Sequence, residues 1–80
     1  MKPAINSQKV FAGFRRIFGV SSYASVPKLA GFDSGHVSRM RSGKVPISSS
    51  FFLSCCFAAH MSPADMCAAV GIPEDYFLPV

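Results

Sequence analysis

Eighty residues, half of them hydrophobic and only 15% charged, make one small domain with a single core; that content excludes general disorder and leaves apolar surface for a second subunit. The net charge of +4 hides a partition: residues 1–44 hold all eight basic residues and one acid, a local +7, whereas residues 45–80 hold three acids and no Lys or Arg. A basic half of this kind is the footprint of a polyanion-binding face, and because its charges do not overlie one apolar helical stripe it fits nucleic acid better than a membrane surface.

Residues 1–6 read as a flexible arm with Lys2 and the helix-stopping Pro3, without the apolar run of a secretory leader. Residues 7–80 read as one domain. Ser7 can cap a first helix over residues 8–18, in which Val10, Phe11, Phe14, Ile17 and Phe18 recur at helical spacing and Gly19 is the stop. Lys9, Arg15 and Arg16 fall on its wetter face. The second helix lies within residues 22–30 and is short or bent, because Pro27 sits in its first turn if Ser25 is the cap and costs a hydrogen bond if Ser22 is. A third helix follows from residue 34 to 41 or 42, ended by Gly43.

Pro46 closes the next connection, and the serines at 48–50 offer a cap for a fourth helix over residues 49–60. Phe51, Phe52, Leu53, Cys55, Cys56 and Phe57 nearly encircle that helix, so it is expected to be covered by its own domain or by a partner. The most apolar stretch, residues 47–61, is about 15 residues long with four serines, short of the ~20 apolar residues that span a membrane. Ser62-Pro63-Ala64-Asp65 is a helix start with a cap, an N1 proline and an N3 acid, and Gly71 ends that fifth helix. Pro73-Glu74-Asp75 can start a last turn. The expected fold is all-α, five helices with short links.

The cysteines suggest a reducing compartment. There are three, Cys55 and Cys56 are adjacent, and no C-x-x-C occurs, so they read as small core hydrophobes rather than a disulfide framework. Cys56 and His60 stand four apart but lack the further ligands a structural zinc needs. No cofactor or metal is expected. With scattered acids, isolated histidines and no Gly-rich phosphate loop, enzyme chemistry is not expected either.

Residues 31–43, GFDSGHVSRMRSG, are the most informative segment. Gly31 permits the positive φ of a sharp turn, Phe32 can tuck between the flanking helices, and Asp33 or Ser34 can cap the helix that follows. Val37 and Met40, three apart, then face inward, leaving Ser34, Gly35, His36, Ser38, Arg39 and Arg41 outside. That outer set is small, polar and basic, as a helix entering the DNA major groove requires. An ordinary amphipathic surface helix is the competing interpretation.

From Phe18 to Cys67 the chain resembles the helix-turn-helix domains of temperate-phage immunity repressors. The resemblance is carried by the turn glycine Gly31, Phe32, the polar pair Asp33-Ser34, Val37-Ser38-Arg39, and the exit through Gly43 and Pro46. Pro27 stands where the family usually has Ala, and Met40 where it has a large aromatic or Leu. The resemblance implies a lambda-repressor-like fold and a repressor acting in the cytoplasm, at the nucleoid of a bacterial host. Many members carry a separate C-terminal assembly domain, so the chain reads as a compact regulator or as the DNA-binding part of a longer one.

The expected activity is binding of a palindromic operator by a homodimer. Ser34, Gly35 and Ser38 allow close approach to base edges, and Arg39 is assigned direct readout, with a phosphate clamp as its alternative. His36 contacts base or phosphate, or is a solvated surface residue. Arg41, Ser42 and Lys44 hold phosphates after the helix, Tyr23 and Lys28 do so from the second helix, and Lys2 reaches DNA if the arm orders. Dimerisation is assigned to the acidic, apolar C-terminal third, where Phe77, Leu78 and Val80 lack an evident internal role. The rival is a helix-turn-helix protein-interaction module, such as an antitoxin or a partner of an antirepressor or other regulatory protein.

Overall fold

A computed structural model describes residues 5–77, in which five α-helices are followed by a single 3-10 turn and no strand occurs among the described residues. The helices are α1 (Ser7–Phe18), α2 (Ser25–Ala30), α3 (Ser34–Ser42), α4 (Ser49–Ala59) and α5 (Pro63–Val70), with the 3-10 turn at Glu74–Phe77. The all-helical expectation and all five helix positions agree with this, to within a residue or two at the ends. No helix among the described residues is long and apolar enough to cross a membrane. Lys2, Leu78 and Val80 lie outside the described residues, as does most of the expected arm.

Local hydrogen bonding explains the boundaries. Asn6 rather than Ser7 caps α1, its Oδ1 accepting the Lys9 N–H at 3.1 Å; Asn and Ser cap about equally well. Ser48 and Ser62 cap α4 and α5 through their hydroxyls. α2 differs from both expectations, since it starts after Ala24 with no side-chain cap. Ser22 instead accepts the Ala24 N–H within the preceding turn. Pro27 is then the third helical residue, where the missing N–H has no partner to lose. Its carbonyl accepts both the Gly31 and Phe32 amides, which closes the six-residue helix.

α1 packs against α5, α3, α2 and α4, while α2 and α5 also lie on α4. At the centre, the Phe51 ring of α4 stacks on Phe11 at 5.5 Å and meets Phe14 edge-on at 5.8 Å and Phe32 edge-on at 5.3 Å. Phe11, Phe14 and Phe51 are fully buried. Where α1 crosses α5, a Cβ on Gly13 would lie 2.9 Å from Val70 Cγ1 and 3.1 Å from its Cα, so only glycine admits this approach without movement. The connection between α3 and α4 is tied down at its end. The Ile47 N–H donates to the Tyr76 hydroxyl at 3.3 Å, and the Ser48 N–H to Met40 Sδ at 3.4 Å.

One expectation about the C-terminal third needs correction. Phe77 has an internal partner, its ring 4.7 Å from Phe52 and 4.9 Å from Tyr76, because the 3-10 turn folds the chain back over α4. Among the described residues the exposed large apolar side chains are Phe57 at 86% and Leu53 at 52%, both on α4, and Leu29 of α2 at 47%.

Removing the central ring tests this core. Phe51→Ala should cost about 3–5 kcal/mol, a large share of the roughly 4–12 kcal/mol expected of a chain this long. Chemical denaturation should give a largely unfolded variant, and a loss below about 1 kcal/mol would contradict the central role of the ring.

Candidate nucleic-acid interface

The interface is built outward from the turn between α2 and α3. Gly31 has φ 73°, ψ 34°, the left-handed conformation that lets α2 stop and the chain reverse. Phe32 turns its edge to Phe51, so the turn is anchored in the core. Asp33 leaves the turn extended and its Oδ2 accepts the His36 N–H at 2.9 Å, capping α3. Val37 and Met40 are buried beneath the helix. At the far end the Gly43 N–H donates to Met40 O and the Lys44 N–H to Arg39 O, the bonding of a Schellman-type stop.

This leaves Ser34, Gly35, Ser38, Arg39, Ser42 and Lys44 exposed on and just beyond α3, with His36 and Arg41 half-buried. A Cβ on Gly35 would lie 3.8 Å from Arg39 Nη1 and 3.2 Å from Asp33 Oδ2. The Arg39 side chain therefore runs back along the helix toward its N-terminal turn, in the direction helical side chains favour. Lys28 is exposed on α2. Among the described residues none of Lys28, Arg39, Arg41 and Lys44 is held in an ion pair.

Two expected contact residues have different environments from those anticipated. The Ser42 hydroxyl donates to the Arg39 carbonyl at 3.1 Å; with its one proton engaged there, it has none for a phosphate oxygen. Tyr23 precedes α2 instead of lying in it and is half-buried. Its ring is flanked by two guanidiniums, Arg41 at 4.5 Å and Arg15 at 4.9 Å from the centroid.

Arg15 is the residue that sequence reasoning left out. It belongs to α1, and the connection that follows this helix folds back on it, with Val20 N–H donating to Arg15 O and Arg15 Nη1 to Ser21 O, so the contact with Tyr23 follows no helical spacing. Its neighbour Arg16 points elsewhere and donates to Ala69 O near the end of α5, at 3.4 Å.

The cysteines stand apart from this face. All three are buried thiols. Burial, with a contribution from Cys56, pushes the Cys55 thiol up from 9.0 to about 12. Cys56 is raised by burial and then by Cys67, against a smaller lowering by a backbone hydrogen bond. Raised values keep both thiols protonated near neutral pH, the opposite of an activated nucleophile. No group of three or more His, Cys, Asp or Glu able to hold a metal occurs among the described residues.

The Asp33 cap predicts a split between two substitutions. Asp33→Ala should lose about 1 kcal/mol, whereas Asp33→Asn should stay within about 0.5 kcal/mol of the parent, since Asn caps as well as Asp. Equal losses in urea denaturation would show that the cap does not hold α3.

In comparisons with known proteins, no family model, curated protein or solved structure matches the chain.

Proposed function

We propose that the chain is a sequence-specific DNA-binding regulator, a lambda-repressor-like helix-turn-helix domain of the phage-immunity type that binds a palindromic operator as a homodimer. The observation that carries this reading is the outer face of α3. Small residues and an unpaired Arg39 lie over buried Val37 and Met40, with Arg41 and Lys44 alongside. The one acid of the basic half, Asp33, is engaged as the helix cap.

In this reading α3 lies in the major groove with its first turns toward the base edges. Ser34, Gly35 and Ser38 add little bulk, so the backbone approaches closely. Arg39 forks onto guanine O6 and N7, a contact that discriminates by about 1–3 kcal/mol. Arg41, Lys44 and, from α2, Lys28 hold phosphates and set the register without reading sequence. His36 sits at the edge of this set and is assigned no base.

A second copy would cover α4. Among the described residues Phe57 and Leu53 are left largely exposed on α4, and an isologous contact is the usual way two identical domains associate. Two recognition helices held about 34 Å apart then read half-sites one turn apart. The same exposed Phe57 is what favours the second reading, a helix-turn-helix module whose partner is another protein.

Selection of bound duplexes from a random pool tests the reading and should return a palindrome; a pool with no enriched motif would favour the protein-binding module. Arg39→Ala should relax preference at one base position. Lys44→Ala should weaken binding to all sequences alike and reduce the slope of log K against log[salt] by about 0.9. Identical behaviour of the two variants would defeat the division between readout and anchoring. Independently, Phe57→Glu should leave the melting temperature little changed and convert a dimer to a monomer in sedimentation; a dimer that survives it places the interface elsewhere.

A further inference from the structure

Three elements meet at Tyr23. Arg15 comes from α1, Tyr23 from the turn before α2, and Arg41 from the last turn of α3. Both guanidinium carbons lie within 5 Å of the ring centroid, inside the range of cation–π attraction. Arg15 Nη1 also donates to the Ser21 carbonyl at 3.3 Å, so its head is held from two sides.

The arrangement sets two like charges against one ring with no carboxylate between them. Among the described residues neither arginine makes an ion pair. Each guanidinium carries five N–H donors; the bond to Ser21 O uses one of the ten. Attraction to the ring holds the heads in place but leaves the donors at their edges open. Arg15, Tyr23 and Arg41 are all half-buried, so much of the freedom that binding would remove is already gone.

The chemistry that completes such a site is an anion with several acceptor oxygens. Its location narrows the choice. Tyr23 and Arg41 line one cleft together with Ser34 and Ser38 of the α3 outer face, which places Arg41 and the Tyr23 ring at the border of that face, and Arg15 adjoins it through the same ring. A sugar–phosphate strand flanks a major groove along such a border.

We infer that Arg15, Tyr23 and Arg41 form a prebuilt clamp for the phosphodiester backbone of DNA, in which Arg15 is a contact residue and Tyr23 a positioning residue. This rests on the DNA-binding reading and extends it to a contact from α1. The role of Tyr23 is to hold the two guanidiniums through its ring, so its hydroxyl is dispensable.

The test is the salt dependence of binding to a selected duplex, with folding of each variant followed by thermal melting. Arg15→Gln should reduce the slope of log K against log[salt] by about 0.9, the loss of one phosphate contact. Tyr23→Phe should match the parent, and Tyr23→Leu should reduce the slope with both arginines still present. Lys9→Gln removes the same charge from an exposed site on α1 and should leave the slope unchanged. A parental slope for Arg15→Gln, or an equal reduction for Lys9→Gln, overturns the clamp; a Lys44→Ala slope still reduced would show that DNA binding itself survives. If Arg15→Gln does not fold, Tyr23→Leu against Tyr23→Phe decides the same question. A parent chain with no salt-dependent binding to duplex DNA overturns both the clamp and the reading beneath it.

Discussion

The Phe51 ring is the contact that fixes α1 and the turn before α3 against α4, and the placement of the candidate interface depends on it. It receives Phe11 and Phe14 from α1 and Phe32 from the turn between α2 and α3. α3 is short and polar and sends only Val37 and Met40 into the core. Two apolar side chains do not orient a nine-residue helix unaided, since isolated helices of this length are marginal in water. The helix is held because the turn before it is pinned through Phe32 and because Met40 also accepts the Ser48 amide at the start of α4. The direction in which Arg39 leaves the surface is therefore set by packing on the other side of the turn.

This division of labour gives physical meaning to the charge partition. The apolar C-terminal half supplies Phe51, Phe52 and Met66 to the core and the Tyr76 hydroxyl that receives the Ile47 amide. The basic half supplies the exposed cations and only one acid, which is engaged in a cap. A carboxylate in an ion pair with Arg39 or Arg41 would lower its attraction for an anion; Asp33, the acid on the Arg39 side of α3, is turned to the His36 amide and makes no such pair. The scarcity of acids here is thus as informative as the abundance of bases.

Much of the fold was legible because helix ends are local events. Ser62-Pro63 and Gly71 bound α5, Asp33 and Gly43 bound α3, and both rules need only a few neighbouring residues. Where several polar residues competed, locality ran out. Asn6 displaced Ser7 as the first cap, and α2 took neither Ser22 nor Ser25, because its start is set by the turn around Tyr23. Ser42 looked like a phosphate ligand from its position after the arginines, yet its hydroxyl returns to the Arg39 carbonyl, a habit of serine near the end of a helix.

The chain alone determined where α3, α4 and α5 begin and end, to within a residue, and that Val37 and Met40 lie beneath the outer face of α3, because capping and the 3.6-residue period act between residues at most a few places apart. Packing alone decided the rest. It gathered Arg15 and Arg41 onto Tyr23, covered Phe77 with Phe52, and left Phe57 uncovered on a helix that is apolar nearly all round. These outcomes join residues from different helices, and which side chains meet there depends on the angles and distances at which whole helices cross.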